Sequence, residues 1–178
     1  MYLLPSTLQT LRDKEVRVFC FNPDDPFSII AGSSNLNIKD CFPFYDAYFI
    51  WSKKIMNRLV ESGVDNVFYL PFAADTNLMQ PSNQKLDKTK MIDVGFIGNS
   101  DKERMSFLKN LGPEIQDVGF TNAVFGSGWG KLPGFNIYNQ AYNNEFLDAI
   151  YRSKINLNIL RIQNKGSHNM RTFDIPAC

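Results

Sequence analysis

The chain has 178 residues, a length that fits one domain or two small ones. Its 44% hydrophobic and 13% aromatic side chains can build a packed core, which excludes a disordered chain. Its 19 basic and 18 acidic residues give a net charge of +1, without the basic excess of a non-specific nucleic-acid or anionic-membrane binder, so any anion site must be local. Cys20, Cys41 and Cys178 are odd in number and lack Cys-x-x-Cys spacing, and His168 is the one imidazole, so neither a disulfide framework nor a zinc site is expected. No run approaches the roughly 18 apolar residues of a membrane span. Residues 1–14 lack a basic end followed by an apolar run, and the expected location is cytoplasmic.

Short apolar runs alternate with amphipathic segments, the pattern of a parallel α/β sheet. Val16 to Phe21 predicts a first strand, stopped by Asn22-Pro23-Asp24-Asp25-Pro26. Ala47 to Trp51 predicts a second. Ser52 then caps a helix whose apolar face is Ile55, Met56, Leu59 and Val60, Gly63 ends it, and Val67 to Leu70 is the next strand. From Pro71 to Lys90 prolines, asparagines and lysines replace the periodic pattern, as in a surface connection. A second block opens with strand Ile92 to Ile97, then Gly98-Asn99-Ser100 and a helix from Asp101 to Leu111, which Ser100 and Glu103 would start as a capping box. Val124 and Phe125 form a strand broken at residues 126–130. Asn144 can cap a helix with the pairs Phe146/Ile150 and Leu147/Tyr151, and Ile155 to Leu160 is the last strand.

Three features can carry chemistry. Gly98-Asn99-Ser100 after a strand, and Gly126-Ser127-Gly128 after the next, lie on the side of a parallel sheet where carboxyl ends gather and phosphates meet helix N-termini. The same residues also suit tight turns with no ligand. Residues 151–178 hold Arg152, Lys154, Arg161, Lys165 and Arg171 against Asp174, a local +4, while the rest of the chain is at −3. This stretch is either a phosphate site or a solvated basic face. Asp174, ahead of Ile175-Pro176, is either a helix cap or a carboxylate that accepts from ribose hydroxyls beside Arg171. Asp24-Asp25 could hold a cation but sit in a proline-bounded turn without a third carboxylate, and His168 alone does not make a catalyst.

The ordered set of Asp24-Asp25-Pro26, Tyr45 to Ser52 and Tyr69 to Asp75, then Asp93 to Asn99 with Arg104, Phe125 to Trp129, Ser153 to Asn158 and Asn169 to Cys178, resembles the bacterial glycosyltransferases related to spore maturation proteins. The resemblance runs from about Pro5 to Cys178. It implies a GT-B architecture of two Rossmann-like domains, both incomplete in this chain: residues 1–72 from the first, a linker over 73–91, and the donor-binding domain over 92–178. It also implies metal-independent transfer of a sugar from a nucleotide-diphosphate sugar to an acceptor hydroxyl on a glycan, protein or small molecule, with no separate cofactor and no nucleic-acid partner. The residues that would meet the donor are Gly98, Asn99, Ser100, Arg104, Gly126, Gly128, Asn169, Arg171 and Asp174. The family's glutamate at the position of Asp174 holds ribose, and the acid that precedes it by seven residues falls at Gly166. A non-catalytic nucleotide-binding or coat-assembly protein that keeps the fold is the competing expectation.

Overall fold

The computed structural model describes residues 4–28, 37–80 and 91–178. The chain divides into two compact units. One runs to Phe72 and includes Gln163–His168; the other holds Ala73–Ile162 and Asn169–Cys178. Ala73 to Gln80, the start of the expected linker, therefore groups with the second unit, while residues 81–90 lie outside the described residues.

In the first unit, strands β1 (Phe19–Asn22), β2 (Ala47–Ile50) and β3 (Val67–Tyr69) pair in parallel in that order. β1 starts later than the apolar run because Val16 N closes the end of helix α1 (Pro5–Asp13) on Leu11 O, and Val18 N donates to Asp46 Oδ2. Helices α1, α2 (Ile38–Cys41) and α3 (Lys53–Glu61) supply Leu8, Cys41, Ile55 and Leu59 to a core with Tyr48, Ile50 and Trp51. Ser52 caps α3 through Ile55 N as expected. Gly63, at φ +83°, ends it with the paired bonds Gly63 N to Val60 O and Val64 N to Leu59 O. Val60 departs from the expected apolar face and is 53% exposed. Asp25 bonds Phe27 N and pairs with Arg58 at 3.3 Å, so this carboxylate braces its own turn.

The second unit is a four-stranded parallel sheet in the order β6-β5-β4-β7, built from β4 (Ile92–Ile97), β5 (Asn122–Phe125), β6 (Asn136–Tyr138) and β7 (Ser153–Leu157). Adjacent residues of β4 point to opposite faces. Phe96 packs with Leu108 of helix α4 (Lys102–Asp117), Val124, Trp129 and Phe135. Ile97 packs with Phe146, Ala149 and Ile150 of α5 (Asn143–Arg152). A short helix, α6 (Arg171–Ala177), follows.

Several boundaries differ from expectation. Asp101, not Ser100, caps α4, accepting from Glu103 N and Arg104 N. A side chain one residue nearer the helix reaches those amides, while Ser100 Oγ turns to Gly128 O. α4 runs through Gly112 and Pro113 to Asp117, because Gly112 is there for close packing: a Cβ would run into the Pro133 carbonyl. Tyr142 holds the cap position of α5 and Asn144 lies inside the first turn. β7 ends at Leu157. β6, an exposed three-residue edge strand, had no apolar run to announce it. Among the described residues no helix is long and apolar enough to cross a membrane.

Candidate functional site

In the second unit β5 and β7 flank β4 on opposite sides, so the sheet order reverses beside β4 and opens a crevice at the strands' carboxyl ends, where open α/β sheets bind ligands. Two glycine loops meet there. Gly98 N donates to Phe125 O at 2.8 Å, Ser100 N to Ser127 O at 2.9 Å, and Ser127 N to Asn99 Oδ1 at 3.1 Å. Trp129 Nε1 donates to Gly98 O at 3.0 Å. A Cβ at Gly126 would strike the Gly98 carbonyl, and one at Gly128 would come within 2.6 Å of Ser100 Oγ. The glycines therefore make room for the neighbouring loop. The Gly98 and Ser100 amides are held by the carbonyls of Phe125 and Ser127.

Gln140, just past β6, joins the same knot: its Nε2 lies 2.8 Å from Asn99 Oδ1 and 3.3 Å from Ser127 Oγ, and its Oε1 accepts from Tyr142 O–H. Sequence reasoning missed this residue because it missed the strand that delivers it.

Arg104 spans the crevice. Its Nη1 donates to Asn99 O at 3.0 Å, and Nε and Nη2 donate to Ile159 O, beyond β7, at 3.1 and 2.9 Å. The guanidinium lies 5.3 Å from the Phe96 ring centroid. Asp101 Oδ2 sits 3.5 Å from Arg104 Nε and 3.6 Å from Arg161 Nε. Burial pushes the Arg104 guanidinium below its ordinary range. Asp101 opposes that shift, and the charges of Arg161 and Arg171 add to it. Three guanidiniums thus share one field, but Arg104 spends its donors on the backbone and acts as a brace.

The end of β7 is tied to the start of α6. Asn169 Nδ2 donates to Asn158 Oδ1 at 2.8 Å, Asn158 Nδ2 to Thr172 Oγ1 at 3.2 Å, and Thr172 N to Asn169 Oδ1 at 3.1 Å. Asn169 therefore fastens the helix that carries Arg171 and Asp174. Asp174 is not its cap; it lies inside α6, 3% exposed, and takes Arg171 Nη1 on Oδ2 at 2.6 Å. Arg171 lies 4.3 Å from the Phe146 ring centroid, and its Nε is buried without a hydrogen-bond partner among the described residues. Such an orphan donor costs about 1–3 kcal/mol.

A contact chain therefore links every expected donor-site residue: Gly126 and Gly128 to Gly98 and Ser100, Asn99 to Arg104, Arg104 to Ile159, and Asn158 to Asn169 and the helix of Arg171 and Asp174. Residues 104–178 match the family model described as glycosyl transferase-like. Arg104, Gly126, Gly128, Asn169, Arg171 and Asp174 fall inside that segment, and Gly98, Asn99 and Ser100 immediately precede α4. No curated protein matches the chain.

Proposed function

We propose that the chain binds a nucleotide-diphosphate sugar on its second unit and transfers the sugar to an acceptor hydroxyl, as in the bacterial glycosyltransferases related to spore maturation proteins. The observation that carries this reading is Arg171, whose buried Nε lacks a partner among the described residues while Asp174 fixes its Nη1 beside the sheet's switch point, all within the glycosyl transferase-like segment. In this mechanism Arg171, with the field of Arg161 and the braced Arg104, meets the diphosphate and stabilises the charge that develops as the sugar leaves. No resident metal is needed for that step. Asp174 orients Arg171 through Oδ2, and its Oδ1, which makes no hydrogen bond among the described residues, accepts from a ribose hydroxyl. Asn169 and the knotted glycine loops hold this geometry without touching the reacting atoms.

One observation favours the competing reading of a nucleotide binder without turnover. Gly166 stands where the family's motif carries an earlier acid, and its φ of +85° is a conformation that side-chain-bearing residues rarely adopt. Sugar release from a panel of nucleotide sugars, in the presence of candidate acceptors, separates the two. Transfer that falls at least about 100-fold in Arg171→Ala supports the proposal, since a lost charge contact in the transition state is worth several kcal/mol. Saturable nucleotide binding without release of any sugar supports the binder.

A further inference from the structure

The first unit contains a cavity of about 480 Å³, lined by Ser62 to Asn66 at the end of α3, by Lys39 of α2, by Phe42 and Pro43, and by Phe27. Asn66 leads directly into β3, so the cavity meets the sheet at the amino end of that strand. Open α/β sheets hold their substrates at the opposite, carboxyl edge, so this cavity calls for a ligand of its own.

Two opposite charges stand in the lining. Lys39 and Asp65 are both exposed, and neither makes an ion pair or a side-chain hydrogen bond among the described residues, with each other included. The Lys39 ammonium lies 5.5 Å from the Phe27 ring centroid, and the Arg58 guanidinium lies 4.2 Å from the same centroid. Asp25 matches the charge of Arg58 at 3.3 Å, which leaves Lys39 as the cation open to a ligand. On the α3 side, Asn66 spends Nδ2 on Tyr45 O at 3.2 Å and keeps Oδ1 as an acceptor. A Cβ at Gly63 would meet nothing within 4 Å, so the backbone of this turn is approachable. The carboxyl end of a helix also carries partial negative charge, which adds to that of Asp65. Between the two charges lie Val64, half-buried, and Phe42, 9% exposed.

This lining selects a ligand class. A cation at one side and a carboxylate with a helix carboxyl end at the other match a molecule that carries both charges, each through a charge-assisted hydrogen bond. A phosphate would meet one cation against Asp65 and the negative end of α3. An uncharged sugar would engage neither charge with a partner of opposite sign. The apolar surface of Phe42 and Val64 rewards a hydrocarbon side chain that leaves water.

We infer that this cavity binds a free α-amino acid with an apolar side chain: its carboxylate on Lys39, its ammonium on Asp65 and Asn66 Oδ1, and its side chain on Phe42 and Val64. The inference stands on the first unit alone and does not need the diphosphate reading of Arg171.

The test is calorimetric titration of the full chain with L-phenylalanine, L-leucine and L-methionine. Beside them stand phenylpropionate, which lacks the ammonium, phenylethylamine, which lacks the carboxylate, and inorganic phosphate. Saturable binding of at least one amino acid is expected, at least about tenfold tighter than either one-charge analogue, and weakened at least about tenfold in Lys39→Met and in Asp65→Asn. Both substituted positions are exposed, and Asp65→Asn keeps the shape of its side chain, so it remains informative if Lys39→Met fails to fold. Arg171→Ala should leave the amino-acid affinity unchanged, which separates this site from the donor site. Binding of no amino acid, equal binding of the one-charge analogues, binding of phosphate alone, or an affinity that ignores both substitutions would overturn the proposal.

Discussion

At the scale of single residues, the candidate site depends on side chains that brace as much as on any that bind. Arg104 is buried with its guanidinium bonded to two carbonyls from separate loops, Asn99 O and Ile159 O. Arg104→Met would leave those carbonyls short of donors and is expected to destabilise the chain by about 2–4 kcal/mol in chemical denaturation. Gly126→Ala should cost about 1–3 kcal/mol, because the added methyl displaces the Gly98 backbone. Equal stability of Gly126→Ala and the natural chain would show that the two loops do not meet as described. Burial pushes the thiols of Cys20 and Cys41 upward, a shift that the hydrogen bond to Tyr45 partly offsets, so the thiol form is favoured in the folded chain. Iodoacetamide should therefore alkylate them in the native chain far more slowly than in urea, as mass spectrometry would report.

At the scale of elements, the cap of α4 gives a sharp contrast. Asp101→Ala removes the acceptor for Glu103 N and Arg104 N and the counter-charge to Arg104 and Arg161, for an expected loss of about 1–2 kcal/mol, whereas Ser100→Ala breaks one bond to Gly128 O and should cost about half as much or less. A second element-level link is Asp93 at the start of β4, whose carboxyl is held below the usual aspartate range by Lys154 on β7 and by Thr121 N. A lowered folded value means that this link stabilises the chain above the unfolded aspartate range and fades as pH falls through the folded value. Carboxyl NMR should show Asp93 titrating low, and Lys154→Met should raise its midpoint.

These elements also show what a sequence makes legible. The core strands are readable because Ile92 to Ile97, apart from Asp93 near its start, and Ala47 to Ile50 are runs of apolar residues, as buried parallel strands require. α3 was readable from Ser52 and Gly63, whose chemistry is local. β6 was not, since its residues are exposed and its pairing is set by β5. Ser100 with Glu103 is a good cap on paper, but its hydroxyl bonds Gly128 O, 28 residues away, and Asp101 takes the cap. The candidate residues can be gathered from their order along the chain, but which of their amides and donors the protein already uses is set by contacts between distant segments.

At the scale of the molecule, charge is unevenly distributed. A near-neutral chain concentrates +4 in residues 151–178 and delivers part of it, through Arg161 and Arg171, to the switch point of one sheet. The first unit has another kind of surface: Phe21, Phe49 and Phe68 stand in register across its three strands, with Phe21 46% and Phe68 51% exposed. Replacing Phe68 by Thr keeps β propensity and trims this apolar row, so it should leave stability within about 1 kcal/mol in chemical denaturation.

The central claim is that Arg171 presents a donor to a diphosphate, and its most direct test is calorimetric titration with a panel of nucleoside diphosphates. Saturable binding of at least one of them is expected, weakened at least about tenfold in Arg171→Ala while the thermal midpoint of the unliganded protein moves little. Binding of none of them, or an affinity indifferent to the loss of Arg171, would contradict it.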